Sequence, residues 1–228
     1  MDKIMTGYPT LFFSSHDMPR MIDRLADGNK DKAIALAVLM LTARGLPFIY
    51  YGEEIGMQNI HAGDQSDIVD IQGRTQYFLA LDTGKTPEEA LKEGNQYNRD
   101  KSRSPMQWND NAFAGFSSHK PWIKINENYR TINVEQQMQN ENSVWHQYQR
   151  LIEIRNNEKA LQYGDYARLE RSGEQILFTR VYAGEKITVI INFGAAMKIE
   201  LPAEAICLMG SPILLTNHFI IYKERVPL

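Results

Sequence analysis

The sequence predicts an α/β portion followed by an all-β portion. Three observations carry this. Near the N-terminus a strand-like apolar run, a helical pattern and a second apolar run are joined by short connections. Near residue 160 the chain changes character, from long helical patterns and polar loops to short alternating segments. Those later segments are separated by Gly-bearing turn pairs, Ser172-Gly173 and Ala183-Gly184. The expected division is therefore 1–160 and 161–228.

Tyr8 to Phe13 is rich in aromatics and bounded by Gly7 and Ser14-Ser15, which reads as a short buried strand. From Asp31 to Ala43, Ala33, Ile34, Ala37 and Leu41 recur at helical spacing. Gly45 stands where a left-handed C-terminal residue is wanted, and Pro47 follows it. Phe48-Ile49-Tyr50-Tyr51 reads as a second buried strand stopped by Gly52, completing a right-handed βαβ unit. Gln58 to Phe116 is polar and long, with one short helix, Pro87 to Glu93, whose Thr86 and Glu89 form a capping box. A loop of that length inside a compact domain is either functional or disordered. Asn142 or Ser143 caps a helix running to about Asn156. Strands are expected at 166–170, 175–182, 187–193, 197–201, 206–209 and 218–223, as a small antiparallel sandwich.

Composition narrows the function. The 228 residues are 43% apolar and 23% charged, which excludes a disordered chain and a disulfide scaffold. A net charge of −3 provides no basic face, so neither nucleic acid nor anionic lipid is an expected partner. No apolar run reaches the roughly 18 residues that span a bilayer. The single Cys207 makes a reducing cytoplasm the expected location, and its apolar setting, Ile206-Cys207-Leu208-Met209, makes it a core residue. The five histidines are scattered without zinc-ligand spacing, and no cluster of oxygen ligands points to calcium, so no metal or cofactor is expected.

Three segments carry polar chemistry. His16-Asp17 directly follows the first apolar run, where parallel α/β barrels keep catalytic groups; the alternative is a helix-capping Asp beside a surface histidine. Glu53-Glu54 follows the second run, and at most one of the two faces a site if the backbone is extended; acid on a helical first turn is the alternative. Arg99 to Trp108 interleaves arginines, an acid and a tryptophan, a set suited to holding sugar hydroxyls and stacking on a ring. A solvated loop with an Arg–Asp pair is the alternative.

TLFFSSHDMPR, GLPFIYYGEEIGM, and RDKSRSPMQW followed by AGFSSHKPWIKIN resemble the α-amylase superfamily of glycoside hydrolases, in particular its oligo-1,6-glucosidases and dextran glucosidases. The motifs occur in the family's order and cover nearly the whole chain. The resemblance implies the C-terminal part of a (β/α)8 TIM barrel, with Tyr8–Phe13 as strand seven and Phe48–Tyr51 as strand eight, followed by an antiparallel β-sandwich domain. It implies that Asp17 is the carboxylate stabilising the transition state, gripping sugar hydroxyls more tightly as the ring flattens. It implies that His16 and Arg99 contact the same glucose and that Arg103 supports them. Tyr51, Glu53 and Trp108 are expected to line the cleft. Ser15 departs from the commoner Asn, which is expected to alter a supporting hydrogen bond rather than the reaction.

Retaining hydrolysis also needs a nucleophilic carboxylate and a protonated carboxylic acid about 5–5.5 Å apart. The family motifs that supply them are absent from this chain. A complete barrel takes about 250 residues, and about 160 precede the β domain here. The expectation is thus an α-glucosidase portion without glucosidase activity of its own, self-associating or pairing with the missing barrel portion, with gluco-oligosaccharide as substrate of the parent. Two other readings stand beside it. One is a portion of a sucrose isomerase or trehalose synthase, and the other is a non-catalytic carbohydrate-binding module.

Overall fold

The protein is described here by a computed structural model covering residues 7–225. In chain order its elements are β1 (Thr10–Leu11), α1 (Met21–Arg24), α2 (Lys30–Thr42), β2 (Leu46–Pro47), α3 (Ile71–Asp82), α4 (Pro87–Tyr97), α5 (Val134–Gln139), α6 (Val144–Asn157), α7 (Lys159–Tyr163), and then β3 (Asp165–Ser172), β4 (Gln175–Tyr182), β5 (Glu185–Asn192), β6 (Met197–Lys198), β7 (Ile206–Gly210), β8 (Ile213–Leu214) and β9 (His218–Arg225). They form two compact units. One takes the described residues up to Phe12, Asn29–Phe48 and everything from Gln147; the other takes Phe13–Gly28 and Ile49–His146.

In the first unit β1 and β2 pair in parallel, Thr10 opposite Leu46 and Leu11 opposite Pro47. The sequence places the second strand at Phe48–Tyr51; the ladder in fact lies at Leu46–Pro47 and ends with the Phe48 N–H bonded to Leu11 O at 2.8 Å. Nor are the flanking aromatics buried. With only one ladder between them, Tyr8, Phe12, Leu46 and Phe48 remain 44–58% exposed. Gly45 is needed for close approach rather than as a cap, because a Cβ there would sit 2.6 Å from Pro9 O.

Alanine-rich α2 is buried along most of its length, which its small side chains permit without crowding. Arg155 donates to Leu41 O and Gly45 O, both at 2.7 Å, and buried Arg180 donates to Thr42 O at 2.8 Å and doubly to Gly164 O. These arginines satisfy carbonyls that a helix end leaves free. Burial lowers the Arg180 pKa to about 10. Helices α2 and α7 pack on the five-stranded sheet, ordered β3-β4-β5-β9-β7 and antiparallel throughout. The β6–β8 pair and its neighbours pack against Ile190, Ile220 and Tyr222, giving the sheet a second layer. The β segments fall close to the expected positions. Cys207 does not join the core: it lies on the edge strand β7 and is exposed.

The second unit fills the stretch expected to be mostly loop. Helix α3 has no amphipathic signature and starts on the N-cap Asp70, whereas α4 has the predicted capping box and runs to Tyr97. The two helices pack at Gly73 and Gly94, where a Cβ on Gly94 would lie 3.2 Å from Gly73 O. Ile55, Met57 and Met106 form a small core with Val134 and Trp145. Ser143 Oγ accepts the His146 N–H at the start of α6, as its expected capping role requires.

Candidate functional site

Asp17 does not cap a helix: α1 begins four residues later, and Ser14 Oγ accepts the Met21 N–H there at 2.8 Å. The Asp17 carboxylate is instead half exposed and bracketed by cations. Its Oδ1 accepts from Arg103 Nη2 at 2.9 Å and from Arg99 Nη1 at 3.2 Å, and its Oδ2 lies 3.0 Å from His16 Nε2. Arg103 Nε also donates to His16 O at 2.7 Å, holding the His-Asp backbone. Thus His16, Asp17, Arg99 and Arg103 come together at one place on the second unit.

Asp70 anchors this cluster from below. Its side chain is 2% exposed and its Oδ1 accepts from Arg99 Nε at 3.0 Å and Nη2 at 2.6 Å, while Oδ2 accepts the Arg99 and Gly73 backbone N–H groups. Burial by itself pushes the Asp70 carboxyl up, but the Arg99 hydrogen bonds outweigh it and hold the group below the usual carboxylate range. Asp70 in turn raises Arg99. Buried Asp100 fixes the start of α3 by accepting the Val69 and Asp70 N–H groups at 3.0 and 2.7 Å. The balance of energies follows burial: exposed pairs such as Asp17–Arg103 contribute about 0.2–1 kcal/mol, so the Asp70–Arg99 pair sets the position of Arg99. The sequence reading missed Asp70, and Asp100 entered it only as the acid of the 99–108 segment, without its role at the start of α3.

A hollow of about 440 Å³ opens beside Arg103, walled by Tyr51, Glu54, Trp108, Phe116 and Trp122 among others. Tyr51 and Trp108 line it. Glu53 does not: it is 4% exposed, and its Oε2 accepts the Tyr50 N–H at 3.0 Å. Burial pushes its carboxyl up to about 7, and Glu54 is raised for the same reason. Beneath them Arg20 is fully buried, donating to Tyr51 O at 2.7 Å and stacked against the Tyr51 and Tyr50 rings at 4.9 and 5.5 Å. This stack, with Gly52 turning the chain at φ 84°, explains why the aromatic run leaves the ladder after Phe48. Among the described residues no group of three His, Cys, Asp or Glu is arranged to hold a metal ion. Among them, too, no helix is long and apolar enough to cross a membrane.

The catalytic-domain profile of the alpha-amylase family matches residues 1–164. The chain belongs to the alpha-amylase family. It is 37% identical to an oligo-1,6-glucosidase of Bacillus cereus over 87% of its own length and 37% of the relative's. It is 31% identical to a glucan 1,6-alpha-glucosidase of Streptococcus dysgalactiae subsp. equisimilis, over 94% of its length and 40% of that protein's. Among solved structures it superposes on the trehalulose synthase of Pseudomonas mesoacidophila with a TM-score of 0.85 and 33% identity, covering 96% of this chain and 44% of that one. This family member thus spans well under half the length of the relatives it matches. The family accounts for the architecture found, a portion of a TIM barrel together with a largely antiparallel β domain.

Proposed function

We propose that this chain supplies the sugar-gripping part of a retaining α-glucosidase acting on α-1,6-linked gluco-oligosaccharides. The observation that carries the reading is the Asp17 carboxylate, open to solvent at 51% yet fixed by Arg99, Arg103 and His16. Such a group accepts hydrogen bonds from sugar hydroxyls without having to reorganise, and its negative charge favours the positive charge that develops on a flattening ring. Arg99 and His16 donate to hydroxyls of the same glucose, and Arg103 keeps the pair in register. In this reading β1 and β2 are barrel strands seven and eight, residues 1–160 belong to the barrel, and 161–228 form the C-terminal β domain.

The same geometry supports an incomplete catalytic set. Asp70 is buried and held ionised by Arg99, which suits neither a nucleophile facing substrate nor an acid. Glu53 is buried against a backbone N–H. Glu54 borders the hollow, its carboxyl raised by burial. The chain alone therefore grips glucose without cleaving a glucosidic bond, and cleavage belongs to the chain joined with the rest of a barrel. The test is glucose release from isomaltose by the purified chain and its Asp17→Asn variant, together with glucose binding followed by saturation-transfer NMR. No release from either protein, with binding weakened at least tenfold in Asp17→Asn, is expected. Release that Asp17→Asn abolishes overturns the incomplete-set reading; binding indifferent to Asp17 overturns the gripping role. The likeness to trehalulose synthase keeps a sucrose isomerase portion as a second reading, separated by product analysis of a complete barrel carrying these residues.

A further inference from the structure

We propose that a hollow on the second unit, walled by Arg24, Lys92 and Lys101, binds the dianionic phosphoryl group of a small ligand. Arg24 comes from α1, Lys92 from α4, and Lys101 from the short turn Arg99–Ser102 that follows α4. None of His16, Asp17, Arg99 or Arg103 lines the hollow, so the inference stands whether or not Asp17 grips a sugar. Its volume of about 370 Å³ lies within the range of about 300–1,000 Å³ for small-ligand sites.

The charge of the lining decides the ligand class. Arg24, Lys92 and Lys101 share the wall with one carboxylate, Asp23, and with His61. Asp23 does not neutralise Lys101. Its Oδ2 accepts the Asn59 N–H at 2.5 Å, and the charges that act on it are those of His61 and Arg20. Lys101 is half buried, and burial holds its ammonium below the ordinary lysine range with no carboxylate acting to offset the cost. Lys92 makes no hydrogen bond or ion pair with any described residue. A cation drawn out of water without a counter-charge is unfavourable, and a bound anion supplies that charge.

The number of charges selects among anions. Three cations less one carboxylate leave two positive charges, which a phosphate monoester matches with about −1.5 to −2 at pH 7. A lone carboxylate ligand leaves one of them unmet. A sugar finds no Trp, Tyr or Phe in the lining to stack on. The donors are also held ready. Lys101 Nζ gives one N–H to Gln96 O at 2.7 Å, and Arg24 Nη2 donates to Phe13 O. Each bond fixes where the cationic head lies and leaves further N–H groups on it, since an ammonium carries three donors and a guanidinium five. The guanidinium fork fits two phosphate oxygens, and the lysines add compact charge beside it.

The test is calorimetric titration of the whole chain, at constant ionic strength, with inorganic phosphate, glycerol 3-phosphate and acetate. The variants are Lys92→Ala, Lys101→Met and, as a cation outside the hollow, Lys120→Ala, each checked for folding by circular dichroism. Phosphate is expected to bind about tenfold more tightly than acetate, and Lys92→Ala and Lys101→Met each to weaken it by about tenfold, the scale of one charge-assisted hydrogen bond. Lys120→Ala is expected to leave it unchanged. Glycerol 3-phosphate binding at least as tightly as phosphate identifies an esterified ligand, and weaker binding identifies the free ion; either supports the site. Phosphate binding no tighter than acetate overturns it. So does binding that Lys120→Ala weakens as much as the other two, which is diffuse attraction to surface cations, and so does binding that all three leave untouched. Lys92 is exposed on α4, so Lys92→Ala decides alone if Lys101→Met does not fold.

Discussion

Replacing Asp70 with alanine tests whether the candidate site is held from beneath. The substitution removes the N-cap of α3, a loss of about 1 kcal/mol. It also takes the carboxylate from a buried pair, where removing one partner costs about 3–5 kcal/mol. The second figure is reduced because Arg99 is 27% exposed and keeps its bond to Asp17. Together these give a destabilisation of about 3 kcal/mol, with Asp70→Asn near 1–2 kcal/mol because the amide oxygen still caps the helix. Urea unfolding followed by tryptophan fluorescence measures it in the right place, since all three tryptophans, Trp108, Trp122 and Trp145, lie in the unit that contains Asp70. The pH dependence has a definite sign. The folded-state pKa of Asp70 is depressed, so its stabilisation is present above the unfolded carboxylate value of about 3.9 and disappears as pH falls through the folded value. Wild type therefore loses stability in acid below about pH 4 more steeply than Asp70→Asn. A midpoint change in Asp70→Ala equivalent to less than about 1 kcal/mol at pH 7 would refute the anchoring argument.

Glu53 runs the other way. Its folded pKa is raised to about 7, so its contribution is complete below the unfolded value of about 4.3 and is lost as pH rises through 7. Wild type is expected to be less stable at pH 8 than at pH 5, and Glu53→Gln to flatten that slope in urea titrations; equal slopes would count against the burial argument. Gly52→Ala places a methyl 2.8 Å from Arg20 Nη1 and against the Met57 thioether, at φ 84°. A loss of about 2 kcal/mol is expected in thermal unfolding, and an unchanged melting temperature would show that the turn relaxes freely.

Legibility in the sequence tracked the kind of signal each element carries. The C-terminal strands were readable because alternation and Gly turns are local, and the capping box of α4 because Thr86 and Glu89 lie three residues apart. Helix α3 was not, because Ile71, Phe78 and Leu79 are exposed and give no apolar stripe to count. The sequence places the Leu46–Pro47 strand too late because hydrophobicity peaks at Phe48–Tyr51, where the Tyr50 and Tyr51 rings cover Arg20 rather than a sheet and Phe48 stays exposed. Cys207 looked like core because its neighbours are apolar, and sequence does not reveal which strand forms the edge. At the site, motif resemblance singled out His16, Asp17, Arg99 and Arg103, which the fold brings into contact. Asp70, which holds them, lies 29 residues from Arg99 and could be found only through the fold.

The double hold on one oxygen of Asp17 has a consequence for binding entropy. A half-exposed aspartate ordinarily samples several rotamers, and a ligand that needs one of them must restrict it at the moment of binding. Here Arg99 and Arg103 converge on Oδ1 while His16 sits at Oδ2, so both torsions of the side chain are restrained while the site is empty. The loss of rotamer freedom belongs to folding and is shared with every molecule in solution, bound or not. A hydroxyl arriving at Asp17 therefore exchanges water for a carboxylate that is already still.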